Sequence, residues 1–295
     1  QSVLQHSLIA YTCSSTQLSG LTKDAFNAYL FTDGLPLGLT SKDKNDAAEV
    51  VIGKKTVGGK TVPDTILSIS KLLALRDKRL VQTIDTAVFY VGRGFTRFGV
   101  GMSMTSSTGY GISKYDNKDI AAAFRNQTNA NYTHGPLFWL AVVYLQYAEA
   151  CAELGSITQA DLDISINKLK TRAGLPALTV GVGFNDPANN MGVSNLIWEI
   201  RRERRCELIM DNWNRYWDLV RWHQLDKLDS SVNPNVLLGA NIVNAPAYDK
   251  AVPKVGTYID GSKKLSRKYD KKYYWYPIPS DQISLNDKLS QNPNW

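Results

Sequence analysis

A mainly α-helical fold, in which tetratricopeptide-like helical hairpins accompany an irregular loop-rich region with short strands, follows from three observations on this 295-residue chain. Helical hydrophobic periodicity sets in after Pro136 and recurs in successive segments. The residues before it are rich in Gly, Ser, Thr and Asn, with short apolar stretches and no sustained helical period. A composition of 43% hydrophobic and 21% charged residues belongs to a globular chain long enough to bury a core without disulfide staples. Residues 1–135 are therefore expected to be loop-rich, and residues 136–295 a helical scaffold with an extended C-terminal wrap, the two forming one continuous domain.

In chain order, GKKTVGGK at 53–60 has paired glycines and no apolar face, which predicts an exposed turn. AVFYV at 87–91 is the clearest strand candidate, and the glycine-bearing GRGFTRFGVG at 92–101 follows it as a hairpin tip or long surface loop. Gly135 and Pro136 start a helix over about 137–154, and Gly155 stops it. Its only polar side chains after the first turn, Gln146, Glu149 and Glu153, fall on one narrow stripe, so other helices must cover the rest. Ser156 to Thr158 offers a cap region for a second helix over 159–172, closed by Gly174 and Pro176, and so short a link makes the pair an antiparallel hairpin. After the loop VGVGFNDPANNMG at 180–192, a third helix spans about 194–210 and a fourth about 213–225. Two hairpins in succession suggest the tetratricopeptide-like scaffold, without its consensus at each position. The proline-bearing tail reads as a wrap over that scaffold.

The net charge of +7 is modest for this length and demands no nucleic acid. EIRRERRCEL at 199–208 could form a phosphate-binding stripe, but glutamates interleave its arginines. On a helical wheel Arg204 falls about 20° from Ile197, inside the apolar arc, which predicts an internal ion-pair network with Arg204 as its hub and Glu203 and Glu207 beside it. Glu199, Glu203 and Glu207 share a spacing that could pair carboxylates for glycoside hydrolysis, but neighbouring arginines are expected to hold each one ionised. Walker A, GxSxG, Rossmann, HExxH and CxxC patterns are all missing, so no cofactor and no metal site is expected. Cys13, Cys151 and Cys206 are too far apart and odd in number for a disulfide framework, and read as small buried apolar residues. No apolar run is long enough to span a bilayer.

Arg93, Phe95, Arg97 and Phe98 combine flat aromatic faces and forked donors on a glycine-flexed backbone, and with Tyr90 and Tyr110 they form the candidate ligand site. Trp139, Trp198, Trp213, Trp217 and Trp222 are assigned to the scaffold by their helical spacing. Tyr273 to Tyr276 alternate as a strand would, half of them packing inward.

Several segments together are recognisable. YAEACAELG at 147–155, NKLKTRAGLP at 167–176, EIRRERRCEL at 199–208 and RYWDLVRWH at 215–223 resemble, in order and spacing, the C-terminal half of the SusD/RagB family. YWYPIPS at 274–280 and LSQNPNW at 289–295 are similar to that family's PIP and terminal QNPG(W/Y) patterns, with Asn294 where glycine is common. DGLP at 33–36, RDKRL at 76–80 and TGYGISKY at 108–115 resemble its central region, with Lys78 where proline is usual.

The resemblance implies a helical fold with tetratricopeptide-like hairpins and a loop region that bears the ligand. It also implies a non-catalytic surface lipoprotein of the bacterial outer membrane that binds an oligosaccharide, or in some members a peptide. Such a protein delivers its ligand to a SusC-like TonB-dependent transporter. Contact with the membrane would run only through an N-terminal lipid anchor outside this chain, and nucleic acid is not an expected partner. Family members are much longer, so the chain resembles a C-terminal piece. A glycoside hydrolase is the rival from another class, and it would need two carboxylates in one open cleft.

Overall fold

The computed structural model describes residues 20–42, 53–64, 73–84, 108, 110, 112, 114, 136–211, 214–241, 254–262 and 264–295. Among them the fold is mainly helical. Two short helices, α1 (Lys23–Asn27) and α2 (Lys78–Thr83), come first, separated by a hairpin of β1 (Gly53–Val57) and β2 (Lys60–Asp64). Then follow α3 (Leu140–Glu153), α4 (Gln159–Ile164), α5 (Ile166–Ala173), α6 (Asn195–Glu207) and α7 (Asn214–Arg221). A small antiparallel sheet, in the order β3 (Leu238–Asn241), β5 (Tyr258–Asp260), β4 (Lys254–Val255), and a last helix α8 (Ser280–Leu285) complete the described elements. None of these helices is long and apolar enough to cross a membrane.

Most helix ends obey their local sequence. Thr158 caps α4 with a reciprocal box to Asp161, Ser194 caps α6 through Ile197 N–H, and Gly174 closes α5 at a φ of 72°. The single helix expected over 159–172 is two helices broken at Ser165, whose φ/ψ of −124°/−102° is not helical and whose Oγ donates to the Asp161 carbonyl at 2.5 Å. The turn expected at 53–60 is the tip of a hairpin: Gly58 and Gly59 both take positive φ, 57° and 76°, and Val57 pairs with Lys60 across them. Tyr273 to Tyr276 do not form a strand. Lys271–Tyr274 is a 3-10 turn, Tyr273, Trp275 and Tyr276 are exposed, and Tyr274 alone packs inward, accepting from Leu225 N–H at 3.0 Å. The strand expected at 87–91 lies outside the described residues.

α6 is the central element. Its Ile200 joins one core with Leu145 and Ala148 of α3, Leu162 of α4, and Ile166 and Leu169 of α5. Its Cys206 joins another with Phe26, Tyr29, Leu80, Tyr110, Ala240 and Ile259. α3 lies on α6 with Leu145 and Ala148 in the core and Glu149 buried beside them, while Gln146 and Glu153 of the polar stripe, and apolar Leu140, Val143 and Tyr147, are exposed. The cover expected around its apolar surface is thus only partial among the described residues. Glu149 is buried where it meets the charge of α6 indirectly: it bonds Arg221, which also bonds Asp218, the partner of Arg204. Cys206 is buried as expected, Cys151 is only half-buried, and both are free thiols.

Two backbone contacts fix the edges of the fold. Ala240 N–H donates to the Thr108 carbonyl at 2.8 Å, and a Cβ on neighbouring Gly239 would stand 2.1 Å from that oxygen, so only glycine fits there. Asp229 ties the tail to the scaffold by accepting from Ser231 Oγ at 2.5 Å, Ser231 N–H at 2.7 Å and Tyr269 N–H at 2.9 Å. The Ser231 hydroxyl first, then the Tyr269 and Ser231 amides, bring its carboxyl down from the ordinary 3.8 to about 2. Such a group adds stability above its unfolded pKa and loses it as the pH falls through the folded value. The thermal midpoint of the wild type should therefore drop more steeply between pH 4 and about pH 2 than that of Asp229→Asn. Equal slopes would show that this carboxylate is not strongly held.

Candidate functional site

The chemistry of the site begins with α6, because the ionic residues of a buried helix need partners. Arg79 of α2 supplies the largest share. It donates to Asp77 at 2.7 Å and to Glu203 at 2.5 Å and Glu207 at 3.0 Å. Burial works against the Arg79 charge, but Glu203 and Asp77 outweigh it and raise the guanidinium well above its ordinary range. Burial alone would raise the Glu203 carboxyl, and Arg79 and Lys170 bring it below the ordinary value instead.

An internal network is thus present, as the wheel predicts, but its hub is Arg79 rather than Arg204. Arg204 pairs with Asp218 of α7 at 2.6 Å, and Arg221 bridges Asp218 at 3.0 Å to Glu149 at 2.6 Å. Glu199 also departs from expectation. Both its oxygens accept from Arg202 Nε at 3.1 Å, yet burial, with Glu203 adding to it and Lys170 opposing, pushes the carboxyl up to about 8. It lines neither of the clefts described here, so this raised carboxyl has no access to a ligand through them.

A cleft of about 240 Å³ opens between α1, the 180s loop and the outer face of α6. Trp198, Arg201, Arg202 and Arg205 line it, and their spacing on a helix puts all four on one face. Asp24, Asn27, Asn190, Asn233 and Asn235 line it from other segments, as do Arg215 of α7 and Lys227. Asp186 orients the aromatic wall by accepting from Trp198 Nε1 at 2.9 Å, and it also pairs with Arg202. Asp24 pairs with Arg205 and accepts from Asn233 Nδ2 at 3.0 Å; burial would raise its carboxyl, but Arg205 and Asn233 bring it below the ordinary value. The Arg202 guanidinium lies 5.5 Å over the Trp198 ring and donates to the Ala28 carbonyl at 3.0 Å, anchoring α1 against α6.

A second cleft of about 560 Å³ is lined by Gln146, Glu149, Glu153, Arg201, Arg204, Arg221 and Trp222. Its charged groups already engage one another or their helix neighbours. Arg221 Nη1 and Nη2 form a fork on Glu149 at 2.9 and 2.6 Å, Trp222 Nε1 donates to Glu149 at 2.6 Å, and Arg201 reaches Glu153 at 3.2 Å.

Of the ligand residues expected from sequence, Tyr90, Arg93, Phe95, Arg97 and Phe98 lie outside the described residues. Tyr110 is placed in the core. It is 2% exposed and its ring stacks on Phe26 at 4.5 Å, which corrects its assignment to a ligand surface. Trp198 packs against the core of Met191, Leu219 and Leu225 as its scaffold reading expects, and it also walls the first cleft. The Asn-rich 180–192 loop was the only sequence sign of that cleft, since its other amides come from distant segments.

The SusD family model matches residues 101–295. No curated protein matches the chain. Among solved structures, a SusD-like protein from Bacteroides fragilis is 21% identical over 94% of this chain and 47% of its own, with a TM-score of 0.53. Another, BT4246, is 19% identical over 93% of this chain and 44% of its own, with a TM-score of 0.60. The chain therefore spans a little under half the length of the solved structures it matches. With the family match covering α3 to α8, and with α3, α5, α6 and α7 carrying the motif segments at 147–155, 167–176, 199–208 and 215–223, this chain belongs to the SusD/RagB family.

Proposed function

We propose that this protein captures an oligosaccharide at the cell surface without cleaving it, and passes it to a SusC-like TonB-dependent transporter in the outer membrane. Family membership supports the nutrient-binding class. The observation that carries the oligosaccharide reading is the convergence of Asn27, Asn190, Asn233 and Asn235 with Trp198 and arginine side chains in one cleft. Planar amides both donate and accept, as paired sugar hydroxyls require, and an indole face suits the apolar C–H face of a sugar ring. Asp24 and Asp186, the carboxylates of that cleft, are engaged by Arg205 and Arg202, and against the effect of burial Arg205 and Asn233 hold the Asp24 carboxyl below its ordinary value, the opposite of a general acid. The loop-rich residues 1–135, with the segment around Arg93 to Phe98, supply further contacts in this reading. Residues 136–295 act as its scaffold, and a lipid anchor outside the chain holds the protein to the membrane.

Calorimetry of the chain against panels of oligosaccharides and peptides, followed by product analysis, tests the proposal. The expected result is saccharide binding with the ligand recovered intact, weakened about tenfold by Trp198→Ala, as loss of ~1.4 kcal/mol would give. Cleaved saccharide would establish a hydrolase, and binding confined to peptides would establish the family's other ligand class.

A further inference from the structure

We infer that the Trp198 cleft takes an anionic saccharide, whose carboxylate or sulfate group seats against Arg215. This rests on the capture reading above and names the ligand class of the same site. Five basic side chains line the cleft, Arg201, Arg202, Arg205, Arg215 and Lys227, against two acidic ones, Asp24 and Asp186. Four of the five have a carboxylate of their own. Arg201 has Glu153 at 3.2 Å, Arg202 has Glu199 at 3.1 Å, Arg205 has Asp24, and Lys227 has Asp226 at 2.9 Å.

Arg215 makes no hydrogen bond or ion pair with any described residue, and its one ring neighbour, Trp222, is 5.9 Å away. A guanidinium that has lost part of its hydration without gaining a counter-charge is unfavourable in the empty protein. Burial first, then the like charge of Arg205, lowers its pKa to about 9, against the weaker pull of Asp24 and Asp218. It is still charged at neutral pH, so the missing partner is an anion. A planar carboxylate or sulfate can meet its fork with two parallel N–H···O bonds.

The rest of the lining decides what carries that anion. Asp24 and Asp186 would repel a closely spaced polyanion such as a nucleic acid backbone, whereas one acidic group on an otherwise hydroxylated ring leaves its hydroxyls for the asparagine amides. Trp198 lines the same cleft and supplies its stacking face.

The test compares three trisaccharides on the chain by calorimetry: one of uronic acids, its carboxyl-reduced neutral counterpart, and that neutral counterpart carrying O-sulfate. The expected result is at least tenfold tighter binding of one or both charged probes than of the neutral one, with the ratio collapsing towards one in Arg215→Gln and partly kept in Arg215→Lys. The two charged arms separate carboxylate from sulfate as the source of the anion. Equal affinity for charged and neutral probes overturns the inference and leaves saccharide capture standing. A preference that survives in Arg215→Gln overturns the assignment to Arg215. Binding of peptides only, by a folded chain, overturns both readings. Should Arg215→Gln not fold, a salt titration of the wild type decides: the preference must shrink as NaCl rises from about 50 to about 500 mM, and a salt-independent preference overturns it.

Discussion

Arg79→Ala is expected to destabilise the protein by about 3–5 kcal/mol, measured by urea unfolding at neutral pH. The size follows from what the substitution leaves behind. Asp77, Glu203 and Glu207 all bond Arg79, and all three are buried. Lys170 stands 4.0 Å from Glu203, at the limit of an ion pair, and Arg172 reaches only Glu207. Neither can replace a guanidinium that bonds all three carboxylates. The pH dependence gives the prediction its sign. In the wild type the Glu203 carboxyl lies below its ordinary value, so its contribution is present above pH 4.5 and lost as the pH falls below it. Without Arg79, burial becomes the larger influence and raises that carboxyl. A carboxyl raised in the folded state stabilises at low pH and loses that contribution as the pH rises. The deficit of Arg79→Ala should therefore be largest at neutral pH and shrink as the pH is lowered towards about 4.5. A deficit below about 1 kcal/mol, or one that grows in acid, would show that Arg79 is not the hub.

This network marks the limit of what the sequence discloses. The cap at Thr158 and the stop at Gly174 were legible because they are local, each acting within a turn. Arg204 was placed correctly in a buried arc by helical geometry alone, and its i+14 partner Asp218 lies on the next helix. Arg79 could not be found that way, since 124 residues separate it from Glu203 and nothing local pairs them. The burial of Glu149 on α3 escapes the sequence for a related reason. Its polar residues read as one stripe, yet Glu149 is buried where Arg221 and Trp222 bond its carboxylate, while Gln146 and Glu153 on the same stripe are exposed. A wheel of one helix contains no term for the charge on another. The cleft has the same character: Asn27, Asn190 and the Asn233–Asn235 pair meet from three separate segments, and only the Asn-rich 180–192 loop is conspicuous in sequence.

The second large effect concerns the seat of α1. Phe26 is fully buried, stacks on Tyr110 at 4.5 Å with an interplanar angle of 10°, and carries the Arg76 guanidinium 4.8 Å over its ring. Arg76 Nη2 in turn donates to the Phe26 and Tyr29 carbonyls, each at 2.9 Å, so side chain and backbone hold the same short helix. Phe26→Ala removes the ring from both partners and opens a cavity in the core that holds Cys206 of α6. A loss of about 3–5 kcal/mol is expected in equilibrium unfolding, with Phe26→Leu losing less because it fills part of the space. The consequence should extend to ligand binding. α1 has only 5 residues, too few to be stable without its tertiary contacts, and it carries Asp24 and Asn27 to the cleft. Phe26 touches no ligand in this arrangement, yet loosening its anchor unsettles the wall formed by Asp24, Arg205 and Asn233. Phe26→Ala should therefore weaken saccharide binding under conditions where the protein remains folded, and Phe26→Leu should restore most of the affinity. Unchanged affinity in a destabilised but folded Phe26→Ala would separate the cleft from α1 and place the binding energy on α6 and the 180–192 loop.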